Sequence, residues 1–146
     1  MNGGNPHIKL PKTKVEVKVT ARTGASGGID YSHTVNSHGN GGAIDLPKDS
    51  GPYKIVFELD DKTDLGLRFD AAGPFFCDVS RGGHCPASID RQQFMVESCE
   101  DVELTVVDWN YGEAKILHYQ LNVTDQYGVP QAPYDPIIQN GGGVKT

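Results

Sequence analysis

The clearest pattern in the chain is a strict alternation of apolar and polar residues near its start. Residues 14–20 have the sequence Lys-Val-Glu-Val-Lys-Val-Thr. An alternation with a period of two is typical of a β-strand that buries one face. We therefore expect Val15, Val17 and Val19 to face the core. The lysines in this run indicate an edge strand, because lysine discourages pairing with another chain.

Similar runs predict strands along most of the chain. Weaker patterns lie at 29–35 and 43–46, and clearer ones at 53–60, 65–69, 75–79, 93–96 and 137–138. The single helical candidate is a short turn near 86–91. The runs 102–106 and 117–123 alternate on either side of a turn at 109–112, and this arrangement predicts a β-hairpin.

The number of short strands sets the expected fold class. A chain of 146 residues is expected to form one domain, residues 1–146, with 1–12 and 140–146 as mobile ends. About eight to ten short strands with regular turns predict an all-β fold, specifically a two-sheet, immunoglobulin-like antiparallel β-sandwich. A small barrel is the alternative. Tyr119, two residues before Leu121, fits either the tyrosine corner of such sandwiches or an ordinary core aromatic.

Several of these segments resemble a known family. They are Leu-Thr-Val-Val-Asp-Trp-Asn at 104–110, Tyr-Gln-Leu-Asn-Val at 119–123 and Asp-Pro-Ile-Ile-Gln-Asn at 135–140, together with similar runs at 55–59 and 67–69. These motifs resemble those of the DP-EP family, small bacterial β-sandwich proteins without an assigned function. The resemblance covers about half of the chain. It implies an immunoglobulin-like sandwich, and it implies no activity and no catalytic residues.

Charge and composition limit the classes of partner. The formal net charge is −6 and the isoelectric point is about 5.2, which disfavours binding to nucleic acid or to an anionic membrane. No run of basic residues suggests a phosphate-binding groove. The longest apolar runs are far shorter than the ~20 residues of a membrane helix. No secretory signal follows Met1, so we expect a cytoplasmic protein.

The three cysteines allow more than one interpretation. Reduced thiols that pack as small apolar residues fit an odd count of cysteines in a reducing compartment. A disulfide between Cys77 and Cys99 would require an oxidising compartment. Cys77, His84, Cys85 and Cys99 also have the ligand types of a tetrahedral zinc site. Their spacing is irregular, and adjacent side chains in a strand point to opposite faces.

A second candidate site lies in the predicted turn after residue 106. The run Asp108-x-Asn110-x-Gly112-Glu113 resembles the start of a calcium loop, where oxygen ligands alternate and a glycine allows a sharp turn, although the closing glutamate of such loops is missing. The same residues are also ordinary turn formers. Trp109 and Tyr111 stand at or beside the loop tip. There they are predicted either to bind a ligand by stacking or to fold over the end of the domain.

No catalytic motif appears in the sequence. Phosphate-binding loops, the His-Glu-x-x-His zinc motif and the Gly-x-Ser-x-Gly nucleophile motif are all missing. We therefore expect a non-catalytic structural or protein-interaction module without a cofactor, whose partner is a second copy of the chain or another protein. The alternative is a module that binds a carbohydrate or a metal through the loop at 109–113.

Overall fold

Alternating residues build the sheets of this protein, as seen in a computed structural model. The structure describes residues 13–36, 39–40, 43–46, 52–77, 89, 93–110, 115–134 and 137–140. Within these ranges the chain forms strands and turns and no helix. The strands are β1 Thr13–Thr23, β2 Ile29–Val35, β3 Gly39–Asn40, β4 Ala43–Leu46, β5 Tyr53–Asp61, β6 Arg68–Phe69, β7 Phe75–Phe76, β8 Phe94–Cys99, β9 Glu103–Asp108, β10 Lys115–His118, β11 Gln120–Leu121, β12 Val123–Thr124 and β13 Ile137–Asn140. The all-β expectation is confirmed for this part of the chain.

The largest described sheet has five strands in the order β2-β1-β5-β9-β8. A four-stranded sheet has the order β10-β13-β4-β3, and two short pairs join β11 to β7 and β12 to β6. The sheets are mixed, since β1 runs parallel to β5 and β13 runs parallel to β4. The expectation of a purely antiparallel arrangement is therefore wrong. Residues 24–52 lie between β1 and β5, and a parallel pair needs a connection of that length.

The apolar residues of β1 face the core as predicted, but the strand does not lie at the edge of its sheet. Val15, Val17 and Val19 are at most 1% exposed, while Lys14 and Lys18 are exposed. However, β1 lies between β2 and β5, so the prediction of an edge strand is wrong. The lysines lie on the solvent face of an interior strand, where Lys18 Nζ is 3.6 Å from Asp60 Oδ2.

The predicted hairpin between 102–106 and 117–123 is also wrong. Strand β9 pairs with β5 and β8, and the short turn at 100–102 connects it to β8. The run 117–123 is divided among β10, β11 and β12, which pair with β13, β7 and β6. Residues 109–114 therefore connect two sheets. Alternation identifies the buried face of a strand, and it does not identify the neighbouring strand.

One buried cluster joins side chains from several of these sheets. At its centre, the ring centroid of Phe57 on β5 lies 5.6 Å from that of Tyr119 and 6.3 Å from that of Phe75 on β7. The ring of Phe94 on β8 lies 5.3 Å from that of Phe75. The same cluster contains Ile44 and Leu46 of β4 and buried apolar side chains of β1, β5, β9 and β12. Apolar burial is the dominant stabilising contribution here.

The remaining sequence predictions fall partly outside the described ranges. The ends at 1–12 and 141–146 lie outside them, and so does the helical turn at 86–91 except for Ile89. That residue forms a parallel bridge with Cys77. Within the described part of the chain, there is no helical segment with the length and apolar character needed to cross a membrane.

Candidate functional site

The segment that follows β9 turns sharply at Asn110. Asp108 and Asn110 are at most 1% exposed. The backbone N–H of Asn110 donates to Asp108 Oδ1 at 2.9 Å, and Asn110 has a φ of 49°. Asparagine tolerates this left-handed conformation better than most residues, and a side chain that accepts from the backbone two residues on is ordinary Asx-turn chemistry. The structure thus brings Asp108 and Asn110 together as a buried turn.

Of the other residues in the predicted loop site, Trp109 is described by the structure, and Tyr111 and Glu113 are not. Trp109 is partly buried, and its backbone N–H donates to the carbonyl oxygen of Gln93 at 2.9 Å. This contact ties the turn to the residue before β8. Both interpretations of the Trp109 side chain stay predictions. Tyr111 and Glu113 lie outside the described residues. Ligand or calcium binding by residues 108–113 stays a prediction.

The structure describes Cys77 and Cys99 of the predicted zinc site, while His84 and Cys85 lie outside the described residues. Cys77 is fully buried after β7, and Cys99 is partly exposed at the end of β8, with no disulfide between them. Phe94 packs on Phe75, two residues before Cys77, and Cys99 follows Phe94 by five positions along β8, a rise of about 16 Å. The disulfide alternative is therefore wrong.

The environment of Cys99 also disfavours metal binding there. Burial raises the pKa of the Cys99 thiol, and the negative charges of Asp70 and Asp101 raise it further. A thiol binds metal as the thiolate, so this environment works against ligation. Among the described residues, no three His, Cys, Asp or Glu side chains come together in a way that could hold a metal ion.

A polar aromatic cluster that was not predicted from the sequence lies on the inner face of β2. The ring of Tyr31 stacks on that of Tyr134 at 5.0 Å, and the ring of His33 meets Tyr134 edge-on at 5.5 Å. Tyr31 Oη donates to the carbonyl oxygen of Ala132 at 2.5 Å, and His33 Nδ1 is hydrogen-bonded to Tyr134 Oη. Burial, and then the charge of Asp61, raise the pKa of Tyr31 to about 12, so its hydroxyl stays a donor.

This cluster holds the segment 130–134 against the five-stranded sheet. Tyr134 also exchanges two backbone hydrogen bonds with Leu121 of β11, at 2.7 and 3.1 Å. Strand β2 is consequently supported on its inner face by this segment and along one edge by β1. The only sequence signal for this contact was that Tyr31, His33 and Val35 share one face of β2. Nothing in the sequence links them to Tyr134.

The outer edges of the five-stranded sheet differ in regularity. Strand β8 forms one edge, and its pairing with β9 is interrupted by a bulge between Val96 and Ser98. Glu97 lies at this bulge and forms an ion pair with Lys54 at 3.0 Å. Bulges and charges are two devices by which natural sheets block pairing at an edge. The edge at β8 thus has the features of a protected edge.

Strand β2 forms the other edge. Its pairing with β1 contains no bulge, and its one charged residue, Asp30, lies near one end. Its seven residues pair with β1 in an unbroken register. The backbone N–H of Asn36 donates to the carbonyl of Glu16 at 3.0 Å, and hydrogen-bonded residues alternate along an antiparallel pair. The backbone groups of Ile29, Tyr31 and Val35 therefore point away from β1. No described strand pairs with this outer edge.

The outer face of β2 carries short polar side chains. Asp30, Ser32 and Thr34 are exposed, and β2 contains neither lysine nor proline. A regular strand with short side chains presents little steric barrier to another strand, and the charge of Asp30 lies away from the strand centre. Comparison with models of known protein families gives no match, and no curated protein matches the chain either.

Proposed function

We propose that this protein is a non-catalytic interaction module that associates with a second copy of itself through the outer edge of β2. The observation that carries the proposal is the unbroken seven-residue register of β2 with β1, on a strand that pairs with no other described strand. Added strands gain main-chain hydrogen bonds, each contributing about 0.5–1.5 kcal/mol net. Such a contact has the strength expected of reversible association.

The contrast between the two edges supports β2 as the associating strand. A strand added at β8 would meet the bulge at Val96 and Ser98 and the charged side chain of Glu97. Within the described part of the chain, a strand added at β2 would meet the short side chains of Asp30, Ser32 and Thr34 on the solvent face. Its inner face is already supported by Tyr134, so association requires no exposure of the core.

A second copy of the chain fits this edge because antiparallel pairing of identical strands is self-complementary. A two-fold axis gives both copies the same contacts, and closed two-fold dimers are the commonest soluble oligomers. Pairing about such an axis places Ser32 and Thr34 of one copy opposite residues of the same set in the other. The single charge in β2, Asp30, lies near one end of the strand and away from its centre.

We further propose that the sheets pack as an immunoglobulin-like sandwich related to the DP-EP family and that the protein works in the cytoplasm. The contacts of Phe57 with Tyr119 and Phe75 support packing of the five-stranded sheet on other strands. The free thiol of Cys99 supports a reducing compartment. The parallel pairing of β1 with β5 distinguishes this chain from a purely antiparallel sandwich.

Sedimentation velocity over the micromolar to millimolar range tests the proposed association. The wild-type chain is expected to shift from monomer to dimer with rising concentration. Ser32→Lys combined with Thr34→Lys is expected to remain monomeric, because lysine on an edge strand opposes pairing. Surface changes of this kind usually alter stability by less than about 0.5 kcal/mol, so the fold is retained.

The matched control is Ser98→Lys, which places a lysine on the exposed face of β8. It should leave the dimer intact. A wild-type chain that stays monomeric over the whole range would contradict self-association. A dimer disrupted by Ser98→Lys and unaffected by the two β2 substitutions would show that β2 is the wrong edge.

A further inference from the structure

A groove of about 340 Å³ lies beside β7, and none of its described lining residues belongs to β2. It is lined by Asp70, Ala72, Gly73, Phe76, Asn122, Val123, Pro130 and Gln131. Its volume lies in the lower part of the range of small-molecule sites. Its described lining includes the aromatic ring of Phe76 and several side chains with polar ends, and none of these residues belongs to a site predicted from the sequence.

The aromatic ring lies against bare backbone. A Cβ atom placed on Gly73 would come within 3.2 Å of Phe76 Cε1 and 3.5 Å of Phe76 Cζ. The absence of a side chain at Gly73 therefore allows the ring to take this position in the groove. Phe76 is partly exposed and is anchored by the pairing of β7 with Gln120 of β11.

The amide of Asn122 is held in one orientation. Asn122 Nδ2 donates to the carbonyl oxygen of Gly73 at 2.7 Å, and Asn122 Oδ1 accepts from Gln120 Nε2 at 2.6 Å. The backbone around it is fixed too, since Asn122 N donates to Pro74 O and Asp70 N donates to Asn122 O, both at 2.9 Å. A side-chain amide has two N–H donors and an oxygen with two lone pairs, so capacity remains for a ligand.

Two further polar groups are fixed at the rim. Asp70 Oδ1 accepts from the backbone N–H of Ala72 at 3.0 Å. Gln131 Nε2 donates to Asp125 Oδ2 and to Val129 O, both at 3.3 Å. These contacts orient the second oxygen of Asp70 and the amide oxygen of Gln131 as further acceptors. Such preorganisation lowers the entropic cost of binding.

We propose that this groove binds a neutral saccharide, with the face of one sugar ring on Phe76 and its hydroxyl groups on Asp70, Asn122 and Gln131. The hydroxyl groups of a sugar both donate and accept hydrogen bonds, and amide and carboxylate side chains together supply the matching acceptors and donors. The C–H face of a sugar packs well on an aromatic ring. The carboxylate of Asp70 and the net charge of −6 oppose an anionic ligand. This site is separate from the proposed β2 contact, and either can fail alone.

Amide-resolved NMR titration with cellotetraose, xylotetraose, mannotetraose and chitotetraose tests the proposal. At least one of these sugars is expected to give saturable shifts of the amides at 70–76, 122–123 and 130–131. Gln131→Ala is expected to weaken the affinity by about tenfold, the effect of losing one well-placed hydrogen bond. Gly73→Ala, which displaces the Phe76 ring, should weaken it as well.

The matched control is Gln126→Ala, which removes an exposed glutamine outside the groove. It should leave both the shifts and the affinity unchanged. Three results would overturn the proposal. They are the absence of saturable shifts with all four sugars, shifts confined to other residues, and an affinity that Gln131→Ala and Gly73→Ala both leave unchanged. Equal affinity for glucuronic acid would overturn the assignment to neutral sugars.

Discussion

The ring of Tyr31 lies on the ring of Tyr134, with the centroids 5.0 Å apart and the planes inclined by 25°. Tyr31 belongs to β2, and Tyr134 belongs to the segment that follows β12. The contact thus joins distant parts of the sequence. Together with the hydrogen bond from Tyr31 to Ala132, it supports the inner face of β2, the strand whose outer edge we propose as the interface.

Removing the hydroxyl of Tyr31 should weaken this support. Tyr31→Phe is expected to lower the free energy of unfolding by about 1 kcal/mol, because the carbonyl of Ala132 loses its donor. Urea denaturation of the two proteins measures the difference. Tyr127→Phe is the matched control, since Tyr127 is 82% exposed and should tolerate the change. Equal stability of both variants would show that the Tyr31 hydrogen bond contributes nothing.

The carboxylate of Asp61 should make stability depend on pH in the acid range. Partial burial raises the pKa of Asp61, and hydrogen bonds from Thr63 Oγ1 and from the backbone N–H groups of Leu67, Thr63 and Gly66 outweigh it and lower the pKa. A lowered folded-state pKa gives stability that is present above the unfolded pKa of about 3.9 and is lost as pH falls through the folded value.

Asp61→Asn tests this contribution, because an amide nitrogen cannot accept from the N–H of Leu67. The variant is expected to be about 1 kcal/mol less stable than the wild type at neutral pH. The difference should shrink as the pH falls below about 4. Chemical denaturation at a series of pH values measures it, with the exposed Asp64→Asn as control. A difference that does not change with pH would refute this origin.

Tyr119 is a core aromatic without the tyrosine-corner hydrogen bond. Its side chain is fully buried, and no described residue is hydrogen-bonded to Tyr119 Oη. Burial also raises the pKa of its phenol well above the ordinary value. Tyr119→Phe is expected to leave stability unchanged or to raise it by up to about 1 kcal/mol, since an unpaired buried hydroxyl is costly.

Thermal unfolding of Tyr119→Phe distinguishes the two interpretations of this residue. A tyrosine corner would make the substitution destabilising. Phe75→Leu serves as the control, because the ring of Phe75 stacks on Tyr119 at 5.6 Å and its loss must destabilise the same cluster. A fall in stability for both variants would restore the tyrosine-corner interpretation.

The left-handed backbone at Asn110 can be tested by comparing its replacement by alanine and by glycine. Asn110 has a φ of 49°, a region that costs a residue with a Cβ atom about 1–2 kcal/mol. Asn110→Ala and Asn110→Gly both remove the amide. Asn110→Ala should therefore be less stable than Asn110→Gly by about 1 kcal/mol or more in urea denaturation. Equal stability would mean that the turn relaxes to a different conformation.

The sequence identified the faces of strands well and their neighbours poorly. Alternation placed Val15, Val17 and Val19 in the core, as it did Ile55 and Phe57. The same pattern could not show that β1 lies inside a sheet, because the lysines of β1 are equally suited to an edge and to a solvent face. Pairing partners depend on long connections, and no local pattern encodes their path.

The candidate sites were still harder to predict. Good turn chemistry at 108–110 was visible because asparagine tolerates positive φ. The contact of Tyr31 with Tyr134 and the groove at Gly73 and Asn122 were not visible, since each joins residues that only the fold brings together. A regular edge is likewise a property of pairing, so nothing in the residues of β2 indicated it.

Cross-linking at the outer face of β2 tests the proposed self-association most directly. Residues 30, 32 and 34 would form the non-hydrogen-bonded pairs of an antiparallel β2 dimer, with Cα atoms about 4.5 Å apart, a distance that a disulfide spans. Ser32→Cys, Thr34→Cys and a mixture of the two together cover the three registers whose two-fold axes lie at residues 32, 33 and 34. Ser98→Cys on β8 is the control.

Mild oxidation followed by mass spectrometry of linked peptides identifies the bond. If the chain associates through β2, an intermolecular disulfide forms between engineered positions in β2 in at least one of these three samples, and none forms at position 98. Linkage at position 98 alone, or no linkage in any of the β2 samples, would contradict association through β2.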